Sequence, residues 1–381
     1  MNNFTVAVCG GGNLAHGSIA AIGHQNPNMT INMLTRRPEI WNNVITGYTK
    51  GSDWEYKGTL NGRINLVSNN AAEIVGNADL ILICSPAHTK KDVLMQIKPH
   101  LKYGAFVGTV FGQGAFDLQC KAILGSDVET KNLTIFSLMY VPFICKVVNY
   151  GKDINIIGPK KTLYTAVWPK NKMQAVLDKL SECYKIPAEP IHSFLNLTLC
   201  PSNQIIHPGR VVGFFEKFPD QCNQVLKFKD VPLLYEGLDQ RSADEIEALD
   251  NEIQNIKRAI LKRYPQIQLD HVLPISERIV KMYKDQVGNP ATLKTIFNTN
   301  KGYERVPFPM VPLQGQDPTL PKSEVLVKLN HQARFFWEDL PFGLVILKDI
   351  GNIVGVSTPA VTRNIIFHQK YMPIQYVDPE T

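Results

Sequence analysis

The chain opens Phe4-Thr5-Val6-Ala7-Val8-Cys9-Gly10-Gly11-Gly12-Asn13-Leu14-Ala15-His16, a short apolar strand, a glycine turn and the start of a helix. This order constrains the fold more than any other feature. Gly10 suits the tight turn, Gly12 lets the backbone approach a diphosphate, and Ala15 permits close packing of helix on strand. An anion would then sit on the free N–H groups of the helix N-terminus. A glycine turn without a ligand has the same residues, so the surrounding pattern has to decide.

That pattern repeats strand and helix. A second strand, Met29 to Leu34, ends at Thr35-Arg36-Arg37-Pro38, with no acid before Glu39 where a ribose hydroxyl would be held. Two guanidiniums there read as a clamp for a 2′-phosphate, which favours NADPH. Solvated arginines, or one stacked on adenine, would also tolerate NADH. Residues 50–70 are polar and broken by Gly51, Gly58 and Gly62, with a small hairpin expected from Thr59-Leu60 and Ile64 to Val67. A helix around Ala71 to Val75 precedes Leu80-Ile81-Leu82-Ile83-Cys84, continuous and apolar like a strand covered on both faces. It ends at Ser85-Pro86-Ala87-His88, where Pro86 is placed to touch the middle of a cofactor. His88 belongs near phosphates or to the next helix's first turn. Further strands are expected at Ala105 to Phe111, Leu133 to Met139, Ile154 to Ile157 and Leu163 to Val167, with a helix from Ala115 to Leu124. The spacing predicts a Rossmann-type doubly wound parallel sheet over residues 1–190, closing near Pro187 to Pro190.

Residues 191–381 read as a helical domain, making the fold class α/β plus all-α. Asp244 to Lys262 places Ile246, Leu249, Ile253, Ile256, Ile260 and Leu261 near one face, and Ser242 precedes Glu245 at capping-box spacing. Leu273 to Tyr283 and Glu324 to Trp337 also read as largely helical. A helical cap or dimerisation domain explains most of these apolar residues. It leaves three polar ones over: His207 before Pro208-Gly209-Arg210, and Arg334 and Asp339 within Ala333-Arg334-Phe335-Phe336-Trp337-Glu338-Asp339. Taken alone, each has a structural reading. Chemistry has a use for all three, because a dehydrogenase needs a proton donor near neutral pH, which histidine supplies. A carboxylate fixes its tautomer, and an arginine fork holds a substrate carboxylate.

At 381 residues the chain exceeds a comfortable single core, which agrees with two domains. The net charge of +6 is spread without a long basic block, so it argues for anionic small molecules and against nucleic acid. Seven cysteines show neither a CxxC pair nor metal-ligand spacing, so no metal is expected, and Cys9 and Cys84 read as buried packing residues. No signal peptide is evident and no apolar run approaches the ~18 residues that span a membrane. A cytoplasmic protein without membrane contact is the expectation.

These residues together resemble a known family. Gly10-Gly11-Gly12-Asn13-Leu14-Ala15-His16, Ile206-His207-Pro208, Tyr235-Glu236-Gly237-Leu238-Asp239, and Arg334-Phe335-Phe336-Trp337-Glu338-Asp339 followed by Gly343 occur in the order of the opine dehydrogenases. That family includes octopine, nopaline and related N-(carboxyalkyl)amino-acid dehydrogenases, and the likeness spans almost the whole chain. It implies condensation of an amino acid with a 2-oxo acid, usually pyruvate, and reduction of the resulting imine by hydride from a nicotinamide. By resemblance His207 matches the catalytic acid/base, Asp339 its orienting partner and Arg334 the arginine that binds a substrate carboxylate. Gly10 and Gly12, with Asn13, Leu14, Ala15, Arg36, Arg37 and Pro86, are the cofactor candidates. NADPH is favoured and NADH tolerated, since the arginine pair departs from the NADH-using invertebrate members. Phe218 to Lys229 has no clear counterpart in the family. A monomer or homodimer is expected. Reduction of a simple 2-hydroxy acid's oxo form or of a phosphorylated alcohol's precursor, and a non-catalytic dinucleotide sensor, are the competing readings.

Overall fold

The computed structural model describes residues 4–49 and 58–379, so Gly51 lies outside the described residues. Two compact units are present, Met1–Thr198 and Leu199–Thr381. The short strand Ala188–Ile191 pairs with Leu163–Trp168 at the edge of the main sheet, which keeps it in the first unit.

The first unit is built on an eight-stranded sheet. Its spatial order is Ala188–Ile191, Leu163–Trp168, Thr134–Leu138, Phe106–Thr109, Leu80–Ile83, Thr5–Cys9, Thr30–Leu34, Leu66–Ser68. Six strands, from Thr134–Leu138 to Leu66–Ser68, run parallel, and the pair 163–168 and 188–191 runs opposite to them. Period-two alternation explains the two covered faces: Val6 and Val8 join one core, Ala7 and Cys9 the other. Burial pushes the Cys84 thiol up to about 12, so it serves as a packing residue here.

A second, four-stranded sheet was not legible as such. Its order is Thr59–Arg63, Val44–Thr49, Asp153–Pro159, Phe143–Asn149. The expected hairpin is therefore replaced by two separate pairings. Thr59–Arg63 lies antiparallel to Val44–Thr49, while Leu66–Ser68 extends the main sheet beside Thr30–Leu34. This sheet covers the outer face of the helix Asn13–Gln25, which explains why that helix is buried nearly all round and lacks a polar stripe. Small residues make the close approach feasible. A methyl group added at Gly23 would lie 2.7 Å from the Gly62 Cα, and one added at Gly47 would lie 3.2 Å from the Ala20 Cβ.

The second unit is mostly helical with one small sheet of three strands, Leu226–Lys227, Met310–Pro312 and Leu326–Leu329. The expected helix at Glu324 to Trp337 is thus a strand, a turn and only then a helix, because Leu326–Leu329 pairs on both sides. The long helix runs Gln240–Arg263, and its N-cap is Asp239, whose carboxylate accepts from the Ser242 amide at 2.9 Å. Ser242 is therefore in the first turn, not the cap. The helix Asn203–Phe215 crosses Gln240–Arg263 closely through Gly209 and Gly213, where a methyl at 209 would meet the Ile246 Cγ1 at 2.7 Å.

Candidate active site

In the first unit the glycine turn has the shape its sequence implies. Gly10 sits at φ +133°, a region L side chains rarely adopt, and a Cβ there would lie 2.8 Å from the Cys84 carbonyl oxygen. Gly12 is different: its backbone is extended, and a Cβ would project into open space. No side chain caps the helix Asn13–Gln25, so the first-turn amides of Asn13, Leu14 and Ala15 point past Gly12 without an intrahelical acceptor. This cradle fits a pyrophosphate. It lies where the strand order reverses, between Thr5–Cys9 and Leu80–Ile83, the switch point at which open α/β sheets bind ligands. Pro86 begins the helix Ala87–Ile97 on the neighbouring strand's end, and His88 is an exposed residue of that helix's first turn.

The other candidates divide by what they touch. Ala15 is fully buried and packs the helix on the sheet. The Asn13 side chain accepts from the Val147 amide at 3.0 Å, which leaves its backbone N–H for an anion. Arg36 and Arg37 are both exposed beyond Thr30–Leu34, with the Arg37 guanidinium 4.8 Å over the Tyr150 ring. His16, the last residue of the motif, is buried against Trp41 at 4.1 Å between ring centroids. Its Nδ1 donates to the Gly12 carbonyl at 2.9 Å and its Nε2 accepts from the Gly151 amide at 2.8 Å. Burial lowers its pKa, so the ring is a neutral brace under the turn. Lys90, also unforeseen, is buried and donates to the carbonyls of Phe111 and Gln113, tying down the loop after Phe106–Thr109.

In the second unit His207 and Asp339 meet. The helix Asn203–Phe215 carries His207, and a wide π-type helix, Phe335–Leu344, carries Asp339. The π winding is evident where the Val345 amide reaches back five residues to the Leu340 carbonyl. His207 Nδ1 lies 2.8 Å from Asp339 Oδ2, both groups buried. A carboxylate only accepts, so Nδ1 carries a proton, and in the neutral ring Nε2 then presents its lone pair. Phe335 stacks on the imidazole at 3.9 Å and 21°, holding the ring plane. The Tyr235 hydroxyl lies 3.0 Å from Nε2.

Arg334 does not join this pair. Its Nε donates to Glu338 Oε2 at 2.6 Å, one helical turn on, and its side chain is 65% exposed. The buried arginine of the region is Arg210, one turn after His207. It donates to the carbonyls of Leu233, Leu234 and Gly237 and to the Ser242 hydroxyl, with Asp239 at 3.5 Å. Neither Arg210 nor Tyr235 was assigned a role from sequence. The usable signals were the three-residue spacing from His207 and the Tyr235-to-Asp239 marker. Among the described residues no cluster of His, Cys, Asp and Glu is arranged to hold a metal. Nor is any described helix long and apolar enough to cross a membrane.

Residues 190–372 match the family model for the NAD/NADP octopine/nopaline dehydrogenase alpha-helical domain. The tauropine dehydrogenase of Arabella iricolor is 26% identical over 98% of this chain and 92% of its own length. Nearly the whole chain is similar to opine dehydrogenases, and residues 190–372 match the family's helical domain. The octopine dehydrogenase of Pecten maximus is 24% identical, covering 98% of this chain and 91% of that protein. A solved octopine dehydrogenase with NADH and L-arginine superposes with a TM-score of 0.84 at 20% identity, over 100% of this chain and 92% of that one, which establishes the shared fold. His207 and Asp339 lie in the stretch covered by the family's helical-domain model.

Proposed function

We propose that this chain catalyses the NAD(P)H-dependent reductive condensation of an amino acid with a 2-oxo acid such as pyruvate, and the reverse oxidation. The observation that carries the reading is the His207–Asp339 pair, buried and oriented on the family's helical domain. The net reaction joins an ammonium to a ketone, with loss of water, uptake of one proton and addition of a hydride. The bound nicotinamide dinucleotide supplies that hydride.

His207 takes a proton from the substrate ammonium through Nε2, freeing the amine to attack the ketone carbon. It returns that proton to the hydroxyl of the adduct, which departs as water. Asp339 holds the Nδ1–H and stabilises the imidazolium between those two steps. Arg334 binds a substrate carboxylate, its guanidinium steadied along the Nε edge by Glu338. On the first unit the amides of Asn13, Leu14 and Ala15 receive the pyrophosphate against Gly10 and Gly12, with Pro86 beside them.

The cofactor preference is for NADPH, with NADH accepted. Arg36 and Arg37 stand exposed beyond the second strand, and the acid that would bind a ribose 2′-hydroxyl is missing until Glu39.

The deciding experiment mixes the protein with NADPH or NADH, pyruvate and a panel of amino acids, following the absorbance of the reduced cofactor. Oxidation that needs both the oxo acid and an amine is expected, with the lower Michaelis constant for NADPH. Oxidation with pyruvate alone would convert the reading to a simple hydroxy-acid dehydrogenase. Silence with every pair, despite tight cofactor binding, would leave a dinucleotide sensor. A lower Michaelis constant for NADH would remove the arginine clamp.

A further inference from the structure

We propose that Tyr235 is a positioning residue for the acid/base, its hydroxyl bonded to Nε2 of His207 and fixing the ring until substrate arrives. The inference rests on the reading of His207 as that acid/base. Its geometric basis is the 3.0 Å contact between the Tyr235 hydroxyl and Nε2. Because Asp339 takes the Nδ1–H, Nε2 has only a lone pair to offer, and the phenol donates.

The loop that carries Tyr235 is built to keep that hydroxyl in place. Arg210 gathers the carbonyls of Leu233, Leu234 and Gly237 from one side. Asn298 Nδ2 gathers those of Tyr235, Glu236 and Leu238 from the other, at 3.2, 2.8 and 3.2 Å. A loop with so many of its carbonyls satisfied by two side chains has little freedom to swing. Rings enclose the phenol itself: Tyr303 at 4.5 Å and Phe297 at 5.9 Å. Burial raises its pKa, so it stays protonated and able to donate.

Rotation of the imidazole would take Nε2 away from the phenol and leave its proton facing those rings. A buried hydroxyl without a partner is costly, so the bond resists that rotation. Asp339 and Tyr235 bond the two ring nitrogens, and Tyr303 and Tyr283 follow behind the phenol. The ring is thus held at both edges until substrate replaces the phenol at Nε2.

The test compares wild type with Tyr235→Phe and Asn298→Ala. In Tyr235→Phe kcat should fall roughly three- to tenfold, with the Michaelis constants within about twofold. Cofactor affinity should stay within about twofold. In ¹⁵N-histidine NMR of the free enzyme, the neutral Nε2 resonance should move toward that of a nitrogen accepting no hydrogen bond. Asn298→Ala keeps the hydroxyl but unhooks its loop, and should move both readouts the same way with smaller amplitude. An unmoved Nε2 resonance in folded Tyr235→Phe would overturn the proposal, as would an unchanged kcat. Because the NMR reading needs no substrate, absence of opine formation by wild type would count against the proposed reaction and leave the Tyr235 contact separately decided.

Discussion

Gly343 lies against Gln204 so closely that a methyl group at 343 would overlap the Gln204 Cβ and Cγ. Gln204 is three residues before His207 and Gly343 four after Asp339, so this contact sets how far apart the two candidate side chains stand. Helix crossings this tight need a residue without a side chain at the point of closest approach. Gly343→Ala is therefore expected to push the π-type helix away from Asn203–Phe215. Overpacking of this kind costs about 1–3 kcal/mol. Turnover should fall about tenfold or more while cofactor affinity holds. A melting curve, a fluorescence titration with reduced cofactor and steady-state kinetics on the one variant check all three.

Removing the imidazole should separate binding from chemistry. His207→Ala is expected to lower kcat by roughly 10²- to 10⁴-fold, the span usual for loss of a general acid/base. The dissociation constant for the cofactor should change less than about twofold. Asp339→Asn should also lose turnover, since an amide can present either a donor or an acceptor to Nδ1 and no longer enforces one tautomer. Full turnover of His207→Ala across the pH range would contradict the assignment.

Arg334 is exposed and steadied by Glu338, so its loss should spare the fold. Arg334→Met is expected to raise the Michaelis constant for the oxo acid by about tenfold or more, with a melting temperature within about 2 °C of wild type. Glu338→Gln should raise it less, because the guanidinium is then free to wander but keeps its charge. A melting shift larger than the kinetic one would make Arg334 a structural residue.

The two glycines of the turn should respond in opposite ways. At Gly10 the positive φ and the 2.8 Å approach to the Cys84 carbonyl make any side chain destabilising, so Gly10→Ala should melt early. At Gly12 nothing in the protein would meet a Cβ within 4 Å. Gly12→Val should therefore fold with nearly unchanged stability yet bind reduced cofactor at least tenfold more weakly. Differential scanning fluorimetry and a binding titration on the pair distinguish the two roles.

Acid should weaken the second unit through His368. This imidazole is fully buried, its Nδ1 2.8 Å from the Asn364 carbonyl, and burial lowers it to about 4. As pH falls below the ordinary value near 6.5, the unfolded chain binds a proton that the native chain refuses. Stability present above pH 6.5 is therefore lost as pH drops toward 4, by an amount on the order of 3 kcal/mol for this group. His368→Gln should be less stable at pH 7 but lose less between pH 6.5 and 4. Denaturant midpoints across that range check the slope, and parallel slopes for both proteins would clear His368 of the effect.

Period and punctuation made much of the first unit legible. Leu80–Ile83 is apolar on both faces because it is central to the sheet, and Ala71–Val75 formed where its residues implied. The Phe143–Asn149 strand was missed, because its exposed Lys146 and Asn149 and its irregular pairing blur the alternation. The strand at Leu326–Leu329 is hard to tell from a helix for a related reason. Four residues carry too little period to distinguish the two, and pairing with Leu226–Lys227 and Met310–Pro312 decided it.

The candidate site was legible in its residues and illegible in its partnerships. His207, Asp339 and Arg334 stood out by type, yet nothing local says that His207 reaches Asp339 across 132 positions while Arg334 turns to Glu338 four residues on. Tyr235 and Arg210 were hidden more deeply, since a tyrosine and an arginine in a helical region have many uses.

The opening glycine turn belongs to what the sequence by itself determined. A strand, a residue that tolerates positive φ, an open Gly12 and an uncapped helix start are local properties, fixed by sterics and hydrogen bonding within a dozen residues. Tertiary structure decided the rest. The second sheet that buries the first helix, the Gly343–Gln204 crossing, and the Asp339–His207–Tyr235 chain all depend on surfaces meeting across long separations. Hydrophobic period says which face of an element is buried, and only packing says against what.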